Sequence, residues 1–499
     1  MKPTEEQQNA IDNYGTTGDV KVIAYAGTGK TTTLNAMAKS DDTRSGVYLA
    51  FNKRIAEEAQ LKFPNHVRCS TAHSLAFRSV VRRYNKDKMF KNPRMRDAIV
   101  NGDKENCIGS LSFPQTREIV GLTLRRFMQS DDERLDLQHA PSLKKMGFGS
   151  DLDFKRLQAE GVVIARKIWD RMTDPDDALP MGHDGYLKVW ALDRPNIGTD
   201  VMFVDEAQDL NPVMVGIVKC QGSQVVAVGD SYQQIYEWRG AKDALTGEAG
   251  LDGAECLLTQ SFRFGQDIAV YGNQILKLLD ARIPLSGLGG EGWVEQYEEG
   301  INANMTATDA VLCRSNGGVV ECLINALNDG RDVFIPGGVD ELTLWVQDAE
   351  RLQCNQTPFY GEFVPFKTWD ELVEYSETID GEHLAVFCRL VNKWGCQKLR
   401  NALEAVKRDY DDGQLTISTT HKAKGLEWDS VIVHSDFLNL PIKKELGPIA
   451  APAIRKLLYV AMTRAKTELI IPSATLQTYQ EATKNYNEDQ RNKKARRRA

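Results

Sequence analysis

The sequence predicts an α/β protein with parallel sheets, and three stretches of the chain carry that prediction. Residues 20–25, 201–204 and 225–228 are short, mostly apolar runs, and glycine or polar residues follow each of them within two residues. Such runs are typical of buried strands in a sheet that is covered on both faces. Residues just past the carboxyl ends of these strands would face the crevice where open α/β sheets bind ligands.

The first run leads into a glycine-rich loop, A-Y-A-G-T-G-K-T, which spans residues 24–31 and precedes a predicted helix. Strand, glycine loop, Lys-Thr and helix together are the context of a phosphate-binding P-loop. Gly27 and Gly29 would let backbone N–H groups surround phosphate oxygens, and the helix N-terminus adds partial positive charge. Lys30 would reach the β- and γ-phosphates of ATP, and the Thr31 hydroxyl would ligate Mg²⁺. The alternative is a Gly/Thr-rich turn before a helix. The loop residues assigned to the nucleotide are Ala26, Gly27, Thr28, Gly29, Lys30, Thr31 and Thr32.

Two carboxylates, Asp205 and Glu206, directly follow the second apolar run. Asp205 would hold Mg²⁺ directly or through water, and Glu206 would polarise the attacking water as a general base. The alternative, two carboxylates that cap the next helix, fits less well because the pair directly follows a hydrophobic strand. The third run leads to Gln233, which would sense the γ-phosphate.

Gln7 has two interpretations. The stretch Thr4-Glu5-Glu6-Gln7 reads as the start of a helix, with Thr4 as N-cap and Gln7 in the capping-box position. Alternatively, the Gln7 amide would read an adenine edge, because an amide both donates and accepts hydrogen bonds. Capping is the better interpretation of this stretch alone.

Aromatic, amide and basic side chains follow other predicted strands and suit a single nucleic-acid strand, through base stacking and phosphate contact. The alternatives are an ordinary strand-to-helix turn and aromatic rings that belong to the core. His73 lies beside small hydroxyl residues and would be taken as structural on its own. The candidate DNA contacts are Phe51, Asn52, Lys53, Tyr236, Trp238 and Arg239.

The length and composition of the chain are those of an ordinary globular protein. The chain has 499 residues, which suggests roughly three or four domains. The net charge of −7 argues against a protein that coats nucleic acid through bulk charge, although residues 491–499 are strongly basic. We expect no membrane span and no signal peptide. The nine cysteines are scattered, none in a C-x-x-C pair, so we expect reduced thiols and not zinc ligands.

Taken in order, these blocks resemble a superfamily-one helicase of the UvrD/Rep/PcrA type. The matching blocks are Gln7, A-Y-A-G-T-G-K-T, F-N-K, T-A-H-S, D-E-A-Q-D and V-G-D-S-Y-Q-Q-I-Y-E-W-R-G-A, with further matches to about residue 471. The usual first glycine of the P-loop pattern is Ala24 here. The segments Y-L-A-F-N-K-R-I-A and C-S-T-A-H-S-L-A-F-R are most similar to the F-box DNA helicase branch. We expect no F-box before the first motif, so that branch's ubiquitin-ligase role is not carried over.

The resemblance adds residues from later blocks to the two candidate sites. Phe262 would stack on adenine, Arg263 would contact the γ-phosphate, and Arg464 would be a second arginine finger. In one motif of the later blocks, Thr420 and His421 would touch the DNA backbone, and Glu427 would lie on the nucleotide side. The residues implied for the nucleotide are Gln7, Phe262, Arg263, Glu427 and Arg464, and those implied for DNA are His73, Thr420 and His421.

The fold implied by the resemblance is α/β, with two RecA-like P-loop motor domains that have parallel sheets and a mostly helical insertion each. ATP would be hydrolysed in the cleft between them. The expected divisions are residues 1–75 plus 197–259 for the first motor domain, 76–196 for its insertion, 260–340 plus 410–475 for the second motor domain, 341–409 for a short second insertion, and 476–499 for a basic tail.

The implied activity is that of an ATP-dependent DNA helicase that moves 3′→5′ on single-stranded DNA and unwinds duplex. Its partners would be single strands, single/double-strand junctions and proteins of replication, repair or recombination, in the cytoplasm at the nucleoid or in a nucleus. Two alternatives stay open. One is a single-strand translocase that strips bound proteins, an anti-recombinase, which the short second insertion favours. The other is a nucleotide-dependent DNA-binding clamp without turnover.

Overall fold

The structure, a computed structural model, divides the chain into two compact units. The first comprises residues 1–24 and 29–258, and the second comprises residues 25–28 and 259–499. The described residues are 2–16, 18–93, 95–99, 107–148, 152–237, 240–246, 250–298, 308–378, 380–411, 413–437 and 452–484. Among the helices in these ranges, none combines the length and apolarity needed to cross a lipid bilayer.

The first unit is built on a six-stranded parallel sheet, which confirms the predicted α/β class. Its strands are β1 (Val20–Ala24), β2 (Gly46–Leu49), β3 (Val67–Ser70), β4 (Val201–Val204), β5 (Gln224–Gly229) and β6 (Ala254–Leu258), in the spatial order β3-β2-β4-β5-β1-β6. The helices are α1 (Glu5–Thr16), α2 (Lys30–Ser40), α3 (Lys53–Gln60), α4 (Ala72–Val80), α5 (Lys86–Phe90), α6 (Met95–Ile99), α7 (Phe113–Gln129), α8 (Phe154–Thr173), α9 (Gly182–Leu192) and α10 (Pro212–Lys219).

Helices α5 to α9 lie between β3 and β4 in the chain, and their apolar faces join the core on one side of this sheet. Alternate residues of a strand point to opposite faces, so β2 divides its side chains between two cores. Val47 and Leu49 pack with the buried residues of α7, α8 and α9, whereas Tyr48 packs on the other face with residues of α1 and α2. The helical segment therefore shares one continuous core with the sheet.

The second unit contains another six-stranded parallel sheet. The strands of this unit are β7 (Gln260–Ser261), β8 (Ser286–Gly287), β9 (Trp293–Tyr297), β10 (Ala310–Cys313), β11 (Val333–Phe334), β12 (Leu415–Thr419), β13 (Trp428–Val433) and β14 (Ala465–Pro472). The large sheet has the order β11-β12-β10-β13-β14-β9, and β7 pairs with β8 alone. The helices are α11 (Gln266–Leu278), α12 (Asn316–Asn328), α13 (Asp340–Gln353), α14 (Trp369–Ser376), α15 (Ala385–Glu404) and α16 (Pro452–Met462), and residues 473–484 are also helical.

Helices α13 to α15 cover most of the predicted second insertion, and they are part of the second unit's core. Trp345 on α13 and Phe387 on α15 are buried in the same hydrophobic cluster as Val311 of β10 and Ile417 of β12. The rings of Trp345 and Phe387 meet edge to face, with centroids 5.2 Å apart. This segment is therefore packed into the sheet's own core.

Candidate functional site

Strand order in the first unit brings the predicted polar strand ends together at one edge of the sheet. β4 lies between β2 and β5, and β5 lies beside β1. Because all four strands are parallel, the residues that follow them share that edge. These are Phe51 after β2, Asp205 after β4, Asp230 after β5 and the glycine loop after β1.

The start of α2 carries the lysine and threonine of the glycine loop. Gly29 precedes the helix with φ of 79°, in the left-handed region that favours glycine. Having no side chain, Gly29 leaves the first-turn N–H groups of α2 without a side-chain cap, as a phosphate-binding helix start requires. Lys30 is the first residue of the helix, followed by Thr31.

Asp205 is the point where three segments of the first unit meet. The Thr31 hydroxyl donates to its Oδ2 over 3.0 Å, and the Tyr48 hydroxyl donates to the same oxygen over 2.6 Å. The backbone N–H of Glu206 donates to Oδ1 over 2.9 Å. Burial raises the pKa of Asp205, and the neighbouring Glu206 raises it further. A hydroxyl and a carboxylate 3.0 Å apart form a suitable oxygen pair for Mg²⁺.

Lys30 and Glu206 form an ion pair beside this carboxylate, with Nζ and Oε1 2.9 Å apart. Burial by itself lowers the pKa of Lys30, but Glu206, Asp230 and Asp205 outweigh burial, so the pKa is raised. The lysine is therefore held fully charged. Glu206 has φ of 52°, an uncommon backbone conformation for a residue with a side chain. Strain of this kind clusters at functional sites.

A chain of amides links Glu206 to the end of β5. Gln208 donates from Nε2 to Glu206 Oε2, and its Oε1 accepts the backbone N–H of Asp230 over 3.0 Å. Gln233 donates from Nε2 to Asp230 Oδ2 over 2.7 Å. Burial raises the pKa of Asp230 to about 6, although Lys30 and Gln233 both lower it. Gln233 thus lies on the same network as the lysine.

Gln7 adopts the predicted capping box in the first unit. Its Oε1 accepts the Thr4 backbone N–H over 3.1 Å, and its own backbone N–H donates to the Thr4 hydroxyl over 3.2 Å. The side-chain amide also donates to Thr33 on α2 over 3.2 Å. This amide is 7% exposed, and its role toward adenine stays a prediction.

Residues 25–28 of the glycine loop belong to the second unit and bond to it through backbone groups. The Phe262 N–H donates to the Gly27 carbonyl over 2.8 Å, and the Ala26 N–H donates to the Tyr459 hydroxyl over 3.2 Å. Gly27 has φ of 75°, and a Cβ there would lie 2.4 Å from Ser261 Oγ. Glycine is therefore required at this position.

The two predicted arginines of the second unit are held by different groups. Arg263 donates from Nε to Glu427 Oε2 over 2.7 Å and from Nη1 to the Thr463 carbonyl over 2.9 Å. Arg464 is buried, and its guanidinium donates to the carbonyls of Val460 and Leu426, each over 3.2 Å. Phe262, next to Arg263, is 36% exposed. Arg263 and Glu427 therefore already pair inside this unit.

The predicted DNA contacts of the first unit divide into three groups. Phe51 is 51% exposed, and its ring stacks on Tyr236 with centroids 6.1 Å apart and planes 12° apart. Asn52 caps α3 by accepting the Ile55 N–H over 2.9 Å, and the exposed Lys53 follows it at the start of the helix. Trp238 and Arg239 lie outside the described residues.

His73 and the pair Thr420 and His421 are placed differently from the exposed Phe51. His73 faces α9, with Nε2 3.7 Å from Asp184 Oδ1. Thr420 is buried, and its hydroxyl donates to the Cys313 carbonyl over 3.2 Å. His421, partly exposed, lies in the turn after β12. In this conformation the Thr420 hydroxyl is therefore used inside the second unit.

Sequence reasoning missed three residues of the hydrogen-bonded network around Asp205 and Glu206: Tyr48, Gln208 and Asp230. Tyr48 sits inside an apolar strand, and only the placement of β2 beside β4 brings its hydroxyl to Asp205. Gln208 lies within the D-E-A-Q-D block, and Asp230 follows β5 as Asp205 follows β4. The last two could have been found by applying the strand-end rule to every strand.

P-loop nucleotide-binding proteins share a layout with a lysine at the start of the helix after one strand and an aspartate after another strand of the same sheet. Here these strands are β1 and β4, with β5 between them. The first unit has the fold and the residue order of that class.

Comparison with known proteins narrows the class. Residues 7–239 match the AAA domain family, and residues 366–475 match the UvrD-like helicase C-terminal domain family. F-box DNA helicase 1 of Gallus gallus is 33% identical over 514 residues, which cover 94% of this chain and 49% of that protein. F-box DNA helicase protein 1 of Schizosaccharomyces pombe is 28% identical over 517 residues, covering 95% of this chain and 58% of that protein. The chain thus spans about half the length of these curated relatives.

A solved structure titled "The structure of PRRSV helicase" covers 93% of this chain and 54% of that one, at 13% identity and a TM-score of 0.30, which is too low to inform the fold. The two family matches lie in the first and second units, in the expected order. Together, the two family matches and the two relatives support a UvrD-like helicase.

Proposed function

We propose that this chain is an ATP-dependent DNA helicase. The observation that carries the proposal is the convergence of Thr31, Asp205 and the Lys30–Glu206 pair at one edge of the first sheet. This is the set of groups that phosphoryl transfer from ATP to water requires: a cation, a metal site and a carboxylate base. The similarity to two F-box DNA helicases supports DNA as the polymer that the motor acts on.

Thr31 and Asp205 would hold Mg²⁺, and Lys30 would bind the phosphates of the nucleotide. Mg²⁺ is bound through one or two protein oxygens plus phosphates and water, which matches one hydroxyl and one carboxylate. When bound, the ion would supply charge neutralisation at the phosphates. Glu206, the carboxylate beside Lys30, would accept a proton from the attacking water. Gln233 and Asp230 would hold Gln208, the hydrogen-bond partner of Glu206, in place.

Arg263 and Arg464 would stabilise charge that develops on the transferring phosphoryl group. Arginine fingers of this type are worth on the order of 10³-fold or more in rate. Glu427 would release Arg263 when the nucleotide's negative charge competes for the guanidinium. Phe262, beside that arginine and partly exposed, would offer its ring to adenine.

Phe51 and Tyr236 would form the start of a track for single-stranded DNA. The half-exposed Phe51 ring leaves one π-face for a base, and stacking on such a ring is worth about 1–3 kcal/mol. Lys53 and Asn52 follow at the start of α3, where they would contact phosphate.

We further propose that the motor moves 3′→5′, by resemblance to the family. Its location would be one where DNA is present, at a nucleoid or in a nucleus.

Fork unwinding tests this proposal. A duplex with a 3′ single-stranded tail should be separated with ATP and Mg²⁺, whereas one with only a 5′ tail should not. Lys30→Ala should abolish separation, because the phosphates lose their cation. Lys39→Ala, at the exposed end of the same helix, is the matched control and should keep full activity. Persistent ATP-driven unwinding by Lys30→Ala would contradict the proposal.

A single-strand translocase that strips bound proteins is the second candidate. The observation that favours it is the short segment from α13 to α15, which is buried in the second unit's own core. In the helicase families that this chain resembles, the corresponding insertion is a large domain. Comparing fork unwinding with displacement of a filament protein from single-stranded DNA separates the two. Displacement without unwinding would support the second candidate.

A further inference from the structure

Two cysteines and a histidine lie together inside the second unit, away from every residue used above except the backbone of Cys313. Cys313 is the last residue of β10, and His434 directly follows β13. The two strands are parallel neighbours with Leu312 opposite Val433, and the His434 N–H donates to the Leu312 carbonyl over 2.9 Å. The register therefore places Cys313 and His434 side by side.

Cys322 approaches this pair from the helix that follows β10. It lies on α12, is 3% exposed, and its sulfur is 3.7 Å from the sulfur of the fully buried Cys313. One ligand atom from each of Cys313, Cys322 and His434 lies within 4.8 Å of the other two. Three soft donor atoms thus converge on one point.

The sulfur separation fits a shared metal ion. Two thiolates bound tetrahedrally at about 2.3 Å from zinc have their sulfurs about 3.8 Å apart, close to the 3.7 Å seen here. A disulfide would need about 2.05 Å. Zinc binds thiolate and imidazole ligands, whereas the hard cations Mg²⁺ and Ca²⁺ prefer oxygen ligands.

The histidine has the support expected of a metal ligand. Its Nδ1 lies 3.2 Å from Oδ1 of the buried Asp436. That carboxylate is itself fixed by the backbone N–H groups of Arg314 and Ser315, each over 2.9 Å. A carboxylate on one imidazole nitrogen orients the ring and raises the basicity of the other nitrogen, which is the usual arrangement behind metal-bound histidines.

We propose that Cys313, Cys322 and His434 form a site for one zinc-class cation, with Asp436 as the carboxylate that positions the histidine. Within the described part of the chain the cluster has these three ligands, so a small exogenous ligand would complete the coordination. The ion would tie α12 to the ends of β10 and β13. The site departs from the sequence expectation of plain reduced thiols, because its ligands are far apart in the chain and lack a recognisable spacing.

Cobalt titration of the full chain tests the site. The reduced protein, stripped of metal with a chelator, is titrated with Co²⁺ and then with Zn²⁺. We expect sulfur-to-cobalt charge-transfer absorption that saturates at one equivalent and disappears as zinc replaces cobalt. Zinc should also raise the melting temperature. In Cys322→Ser and His434→Gln the affinity for cobalt should fall at least about tenfold. Cys388→Ser, which removes another buried thiol of the same unit, should behave like the wild type.

Measurements on the wild-type chain can overturn the proposal, so the test does not depend on whether the variants fold. Absence of the charge-transfer absorption in fully reduced wild type would overturn it. So would an unchanged cobalt titration in folded Cys322→Ser. A thiol count of seven in the denatured wild type as isolated, against nine cysteines in the sequence, together with a count of eight in Cys322→Ser, would identify Cys313 and Cys322 as a disulfide and also overturn the proposal.

Discussion

Two lysines of the first unit are held in opposite ways: Lys30, whose side chain is 15% exposed, and Lys188, which is almost fully buried. Lys30 lies beside Glu206, Asp205 and Asp230, and these carboxylates raise its pKa despite burial. Lys188 on α9 donates instead to the carbonyls of Ser130 and Asp132, over 2.7 and 2.5 Å.

Burial lowers the pKa of Lys188 to about 8, although nearby carboxylates raise it. Carbonyl oxygens satisfy hydrogen bonds but do not neutralise charge, so Lys188 serves the packing of the helical segment after α7. At the proposed phosphate site, by contrast, buried acids keep the Lys30 cation charged. The partners of the two lysines therefore differ: carboxylates surround the proposed phosphate-binding cation, and carbonyls surround the structural one.

Arg464 tests this comparison most strongly. Like Lys188, it is a buried cation that donates to backbone carbonyls, yet it is a proposed arginine finger. If the proposed role holds, Arg464→Ala should reduce ATP hydrolysis by about 10³-fold or more. Phosphate release with DNA present measures this. Arg389→Ala, an exposed arginine of the same unit, is the control. A loss below tenfold in folded protein would place Arg464 with Lys188 as a structural cation.

Glu206→Gln tests the carboxylate side of the Lys30 site. The change keeps the shape of the side chain and removes its charge, so the proposed general base is lost. We expect hydrolysis to fall by about 10²–10⁴-fold, with ATP binding retained. Glu427→Gln, the matched change at the more exposed partner of Arg263, should cost less than about tenfold. Equal losses in both variants would mean that the two acid–cation pairs do not differ in role.

Lys188 makes the comparison quantitative through pH. Its pKa in the folded chain is about 8, below the ordinary value of 10.5, so between these values the unfolded chain binds more protons. Stability from this group therefore rises as pH increases from about 8 to 10.5, by up to about 3 kcal/mol. The free energy of unfolding in urea, wild type minus Lys188→Met, should show that rise. A difference that stays flat with pH would mean that Lys188 is not desolvated. Hydrolysis by folded Lys188→Met should stay within about twofold of wild type.

The smallest expected effect is at Phe51. Phe51→Ala should weaken binding of short single-stranded DNA by about 5- to 150-fold, the equivalent of one stacked base. Fluorescence anisotropy measures the change, and ATP hydrolysis without DNA should be unaffected. Leu61→Ala, at another exposed apolar side chain of the first unit, is the control. If both variants bind DNA equally, the ring is not part of the track.

Local motifs were predictable from the sequence, and long-range pairings were not. Lys30, Thr31, Asp205 and the sheet class follow from residues that are adjacent to their strands, and the capping box at Gln7 is contained in four residues. The Tyr48 hydroxyl reaches Asp205 only because β2 pairs with β4, which no local pattern specifies.

The metal-ligand candidates show the same limit more strongly. Cys313, Cys322 and His434 come from a strand, a helix and a second strand end, and only the parallel register of β10 and β13 brings them together. Their spacing in the sequence carries no signal.

Trp238, Arg239 and residues 485–499 lie outside the described part of the chain, so the roles expected of them remain predictions.

In the proposed function, single-stranded DNA drives ATP turnover at the Lys30 site. The most direct test is the rate of ATP hydrolysis with and without a short single strand, at two salt concentrations. We predict strong stimulation that weakens as salt rises, because phosphate contacts release counterions. Turnover that is unchanged by DNA at either salt concentration would leave a nucleotide hydrolase in place but would contradict a DNA-driven motor.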